Sequence, residues 1–212
     1  MTDYSKPENT LRPDLKLIAD LIESDSRVLD VGCADGSLLS FLVHHKNIDG
    51  RGIEISQGGV NACVAKGLFA IQGDADNDLS EYPDGSFDYV ILSRTLQAVH
   101  RPKNVLLELL RIGKKAIVTI PNFGQWRVRL SLMTRGRMPV TRTLKKTWYN
   151  TDNIHFCTIL DLFDLMHQEG IKVREFVPHS KAGKRLQMGP ARANLFADQG
   201  LFLIEPGETS AK

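Results

Sequence analysis

Residues 28–39 read VLDVGCADGSLL: an apolar run ending in an acid, a loop of small residues, then a second apolar run. A short buried strand that turns at once into a helix needs residues that let the backbone bend sharply. It also needs neighbouring strands, because one strand cannot bury itself. The chain supplies them. RGIEI (51–55), LFAIQ (68–72), FDYVIL (87–92) and KAIVTI (115–120) are apolar runs of strand length. Helical stretches lie between them at about 37–45, 59–67 and 102–111, and an amphipathic helix at 13–23 precedes the first strand; Pro13 and Pro102 open two of these helices. This alternation predicts a parallel sheet covered by helices on both faces. A helix at 158–170 and two strands at 172–177 and 199–205, paired antiparallel at an edge, complete the pattern. The expected architecture is α/β and Rossmann-like, with a mostly parallel seven-stranded sheet and an antiparallel edge strand.

A chain of 212 residues, 42% of them hydrophobic, predicts one domain around one sizeable core. Residues 1–12 read as an N-terminal arm, 123–157 as a lid or insertion containing a helix at about 124–133, and 206–212 as a flexible tail. Cys33, Cys63 and Cys157 are odd in number and far apart, which fits neither a disulfide framework nor a zinc ladder. Neither an apolar signal core nor a run of about 18 apolar residues occurs, so a soluble, cytoplasmic protein with no membrane partner is expected. The net charge is only +2, but its distribution is uneven: Leu109 to Thr151 contains ten Lys and Arg and no acid, whereas residues 74–88 are rich in Asp. The cationic stretch could touch phosphates, but a solvated surface explains it better, and a nucleic-acid partner is disfavoured.

The loop suggests a ligand. Gly32-x-Ala34-x-Gly36 feeds a helix N-terminus, whose free N–H groups favour an anionic group. Glu54 ends the second strand, where a carboxylate can accept both hydroxyls of a ribose. After the third strand, Asp74 could accept from an adenine amine and the Ala75 N–H could donate to a ring nitrogen. Strand topology places these groups and Ser93 on one rim. A dinucleotide would want a third glycine at position 37, which is Ser37. Cys33 fits as a small structural residue rather than a nucleophile, and Asp30 as an organiser of the loop rather than a base.

The loop, Glu54 and Asp74, in that order over residues 25–122, resemble the nucleotide site of class I S-adenosylmethionine-dependent methyltransferases, with Ala34 in place of the usual middle glycine. The resemblance implies that fold, S-adenosylmethionine or S-adenosylhomocysteine as the small-molecule ligand, and a binding set of Asp30, Gly32, Cys33, Ala34, Gly36, Glu54, Ile55, Asp74, Ala75 and Ser93. Ser93-Arg94-Thr95-Leu96 lacks the Asn/Asp-Pro-Pro-aromatic motif of nucleobase methyltransferases. LRPDLKLIADLIESDSRVLDVGCADGSLL, SRTLQAVHRP, AIVTIPNFGQWRVRL and TWYNTDNIHFCTILDL are together similar to the MetW family over about residues 11–204. That resemblance implies a role in methionine synthesis and association with homoserine O-acyltransferase. It implies no methyl acceptor.

Catalytic candidates are correspondingly thin. His155, Tyr149 and Asn122 are the residues to follow, with Arg94 and His100 near the same rim, and none forms a recognised acid–base pair. Trp148, Tyr149 and Asn150 could close over a substrate, and Trp126 and Trp148 could equally pack the insertion onto the core. Arg127, Arg129, Arg135 and Arg137 could receive an acidic partner or a substrate carboxylate. No metal-ligand spacing occurs. Two functions stay open: a small-molecule methyltransferase, and an accessory protein that binds S-adenosylmethionine and modulates an acyltransferase.

Overall fold

The computed structural model describes residues 11–140 and 147–207. The expected arm, insertion and tail therefore fall partly outside the described residues. Helix α1 (Pro13–Asp20) leads into β1 (Arg27–Val31), followed by α2 (Ser37–Lys46), β2 (Asp49–Glu54), α3 (Gln57–Ala65), β3 (Phe69–Gln72) and β4 (Phe87–Ser93). Then come α4 (Pro102–Ile112), β5 (Gly113–Pro121), α5 (Trp126–Arg135), α6 (Ile159–Gln168), β6 (Lys172–His179), α7 (Pro190–Phe196) and β7 (Gln199–Glu205). The seven strands form one sheet in the order β3-β2-β1-β4-β5-β7-β6. Strands β1 to β5 pair in parallel, while β7 pairs antiparallel with both β5 and β6.

Side-chain alternation sorts the core into two layers. Val28, Tyr89, Ile91 and Ile117 pack with Leu17 and Ile18 of α1 and Leu38, Leu39 and Leu42 of α2. Their sequence neighbours Leu29, Val90, Leu92, Ala116 and Val118 pack with Leu106 and Leu109 of α4, Leu162 and Met166 of α6 and Ala193 of α7. A strand's two-residue period makes this division automatic once both faces are covered. Pro13 and Pro102 begin their helices, as their fixed φ allows. A full capping box between Thr158 and Asp161 starts α6.

The structure adds three details. Residues 190–196, assigned no element from the sequence, form α7. Strand β7 lies between β5 and β6, so β6 takes the edge, and the link from β6 to β7 carries α7. Cover is thin at β3, the opposite edge, where Phe69 is 78% exposed and Ile71 is also exposed.

Phe202 of β7 is fully buried, with Phe163 and Phe176 rings 5.2 and 5.0 Å from its own. Phe202→Ala should cost about 3–5 kcal/mol in urea unfolding, whereas Phe69→Ser at the open edge should cost less than about 0.5 kcal/mol.

Candidate functional site

The loop after β1 takes its shape from three left-handed residues: Gly32 (φ +75°), Ala34 (φ +51°) and Gly36 (φ +72°). A side chain at Gly36 would be strained by its φ, and its Cβ would lie 2.7 Å from Leu68 and 2.8 Å from the Cys63 sulfur. Ala34 is the one non-glycine of the three, and its cost is met by bonds on both sides. Its N–H donates to Glu54 Oε2 at 2.8 Å, and its carbonyl accepts from the Cys63 thiol at 3.5 Å. Gly32 and Cys33 both donate N–H bonds to the Ile53 carbonyl. The loop is thus tied along its length to the end of β2.

Glu54 is buried, and its second oxygen accepts from the Ser56 N–H at 3.0 Å. Each carboxylate oxygen therefore has one protein donor and keeps acceptor capacity for another. Ile55 beside it is 66% exposed, and its carbonyl accepts from the Gln72 amide. Gly73 N–H donates to the Glu54 carbonyl, which brings the Asp74 turn against the same strand end. Asp74 Oδ1 accepts from the Asp76 N–H and Oδ2 from Asn77 Nδ2, so much of its capacity goes into shaping its own turn. Ala75 packs its methyl on the core. Glu54, Ile55, Asp74 and Ala75 form one group at the ends of β2 and β3.

A cavity of about 370 Å³, within the size range of small-molecule sites, lies against the loop, and Gly36, Glu54, Ile55, Asp74 and Ala75 are not part of its lining. Asp30, Gly32, Cys33, Ala34 and Ser93 of the expected set line it, with Arg94 and Trp148 from the rim. Part of its wall comes from places that the motif does not point to, among them Arg12 and Leu15 at α1, Phe123 after β5, Met138 and Pro139 after α5, and Phe156. Arg94 adopts φ +61°, unusual for a side chain of its size.

Asp30 sits on the cavity floor, 3% exposed, and burial, with the charge of Glu54, pushes its carboxyl up to about 7. Cys33 is held 3.7 Å from the Cys63 sulfur, and burial, then Asp30, pushes its thiol well above its ordinary value. That suits packing and not nucleophilic attack. The helix N-terminus is already partly served: Asp35 accepts from the Ser37 N–H and hydroxyl. Burial alone would raise the Asp35 carboxyl, but the Ser37 bonds and Lys66 outweigh it and hold it low.

Of the catalytic candidates, Asn122 is wholly committed to structure. Its amide donates to the carbonyls of Ala193, Asn194 and Ala197, and its oxygen accepts from Gly124 and Ile159 N–H. Tyr149 is exposed and stacks edge-on with Trp148, and His155 is exposed with Nε2 3.4 Å from the His100 carbonyl. Neither lines the cavity. The acidic run at 74–88 is spent on turns and ion pairs: Asp76 accepts from His100 and Arg101 N–H, Asp84 pairs with Arg111, and Asp88 with Lys114. Among the described residues no cluster of potential ligands could hold a metal, and no helix is long and apolar enough to cross a membrane.

The strand order with β7 reversed, and the loop at the carboxyl end of β1, define the class I S-adenosylmethionine-dependent methyltransferase fold. A methyltransferase of this type from Thermotoga maritima superimposes with a TM-score of 0.63 at 22% identity, over 91% of this chain and 87% of that one. One from Archaeoglobus fulgidus gives 0.61 at 17%, over 90% of each chain. The [4+2]-cyclase SpnF gives 0.62 at 20%, over 91% of this chain and 80% of that one. The chain belongs to the MetW family of methionine-biosynthesis proteins, which it matches over residues 12–204. It is also 36% identical over 177 residues to the bifunctional methionine biosynthesis protein MetXA/MetW of Rhodopirellula baltica, covering 79% of this chain and 28% of that protein's length.

A carboxyl with a folded pKa near 7 and an ordinary value of 3.8 binds an extra proton in the folded state between those pH values. Its stabilising share is therefore complete at low pH and lost as pH rises through 7. The thermal midpoint of the native chain should fall between about pH 5 and 8 relative to that of Asp30→Asn, which has no carboxyl to ionise. Parallel pH profiles would show that Asp30 does not titrate there.

Proposed function

We propose that the chain binds S-adenosylmethionine or S-adenosylhomocysteine at the β1 loop and serves as an accessory to homoserine O-acyltransferase in methionine biosynthesis. The carrying observation is the contrast between the loop and the rest of its cavity. The loop is fully braced, and Glu54 keeps acceptor capacity suited to ribose hydroxyls. By contrast Asn122 is locked, and His155 and Tyr149 stand outside the lining. Ile55 offers an apolar surface to a base, the Asp74–Ala75 turn offers a carboxylate edge and an N–H, and Asp30, Gly32, Cys33, Gly36 and Ser93 hold or line the opposite half. The fused relative, which joins MetXA and MetW in one polypeptide, supports the acyltransferase as partner. The fold itself is neutral on methyl transfer, because it also serves a cyclase.

Asp30 favours a second reading. A carboxyl near neutrality on a cavity floor can take a proton from an acceptor. S-adenosylmethionine, when bound, would supply an electrophilic methyl group. In this reading the chain methylates a small molecule, and Asp30→Asn abolishes turnover without abolishing binding.

Calorimetry on ligand-free protein should show S-adenosylmethionine and S-adenosylhomocysteine binding, weakened about 10- to 100-fold in Glu54→Gln, the worth of one or two charge-assisted hydrogen bonds. The acyltransferase should co-purify with the chain, and its acyl-transfer rate should change when the chain is added. Unchanged rates would reject the accessory role. Conversion of S-adenosylmethionine to S-adenosylhomocysteine with a pathway metabolite would select the methyltransferase.

A further inference from the structure

Helix α5 is unlike the other long helices of this fold, because of its ten residues only Val128 is buried. Trp126, Leu130, Leu132 and Met133 are all exposed, Met133 by 79%. Trp126, Leu130 and Met133 recur at positions i, i+4 and i+7, which places them in one stripe down the helix. Single exposed apolar residues are ordinary, but an aligned stripe headed by tryptophan and ending in methionine is the composition of a contact surface. Immediately beyond the helix, Met138 lines the cavity, as Trp148 does.

Charge gives the character of the missing surface. Arg127, Arg129, Arg135 and Arg137 lie on and just after α5, and no acid occurs between Leu109 and Thr151. The Arg127 guanidinium lies 5.2 Å from the Trp126 ring centroid, and Arg129 donates to the Gly124 carbonyl. Among the described residues none of these four arginines has a carboxylate at ion-pair distance. All four cations are arginine, the side chain whose planar fork suits carboxylates, and none is lysine.

We propose that the Trp126–Leu130–Met133 stripe is a protein-docking face whose occupant is an apolar groove edged with Asp and Glu on the homoserine O-acyltransferase. The proposal rests on the accessory reading above and adds the surface through which that role is exercised. A protein groove fits better than a lipid surface. The stripe has three anchors on a ten-residue helix, and a relative carries a second module in the same polypeptide. Because α5 leads directly into Met138 and Pro139 on the cavity wall, a partner held here sits next to whatever fills the cavity.

The test uses the full chain and the purified acyltransferase, with affinity measured at low and high salt. Met133→Asp and the pair Trp126→Ala/Leu130→Ser should each weaken binding at least about 30-fold, the scale of an interface hot spot. Arg127→Glu/Arg135→Glu should weaken it too and flatten its salt dependence. Unchanged thermal midpoints and S-adenosylmethionine affinity would show that the variants fold. Phe69→Ser, at the far edge of the sheet, should bind as the native chain does. If the native chain binds the acyltransferase and the stripe variants bind equally well, the face is wrong and the accessory role stands. If the native chain does not bind it at all, both fall. If the stripe variants lose binding to anionic vesicles or self-association rather than to the acyltransferase, the occupant assigned here is wrong.

Discussion

The tie between the β1 loop and the end of β2 is the interaction on which the rest of the site depends. Three left-handed residues turn the backbone back on itself, and such a turn is costly unless its polar groups are used. Here Ile53 receives two of its N–H groups and Glu54 receives a third. The same carboxylate reaches Ser56, whose hydroxyl caps α3 by accepting from Gly59. One acidic side chain therefore fixes the loop relative to β2 and the start of the next helix. A ligand bound there as proposed would ask Glu54 to serve two tasks at once, so a substitution at this position must be read for folding as well as for affinity.

The fold was legible because its signals are local and periodic. Apolar strands of four to nine residues, proline at helix starts and small residues in the first turn each follow from backbone geometry alone. The placement of Asp30, Gly32, Ala34, Glu54 and Asp74 at or next to neighbouring strand ends was legible for the same reason: topology brings consecutive strand ends to one rim. Much of the cavity wall was not. Arg12 and Leu15 reach the cavity from the start of α1, which packs against α2, and Phe123, Met138 and Phe156 from stretches with neither helix nor strand. Neither arrangement leaves a spacing to read. Asn122 shows the converse. A polar residue just past a central strand looks poised for chemistry, yet five hydrogen bonds make it the pin that holds α7 against β5.

The uneven charge visible in the sequence acquires its meaning only in three dimensions. The acidic run at 74–88 is consumed internally, by backbone N–H groups and Asn77 at Asp74, Asp76 and Asp78 and by Arg111 and Lys114 at Asp84 and Asp88. The basic run divides. Its first members, Arg111, Lys114 and Lys115, neutralise nearby acids, while the arginines on and after α5 face outward. A single stretch of like charge thus serves internal cohesion at one end and presents an open surface at the other.

The position of β7 has a consequence for how the chain reaches this structure. Strand β6 is synthesised before β7, yet β7 is its sheet neighbour and separates it from β5. Until β7 threads into place, β6 has no strand to pair with and β5 keeps one side open. Two unpaired edges then coexist on a chain whose core is otherwise ready to form, and such edges are prone to join those of other chains. Closure also depends on contacts far apart in sequence, such as Ala116 with Ile204, which slow the search. The vulnerable moment in the life of this protein is therefore the interval before its last strand is inserted.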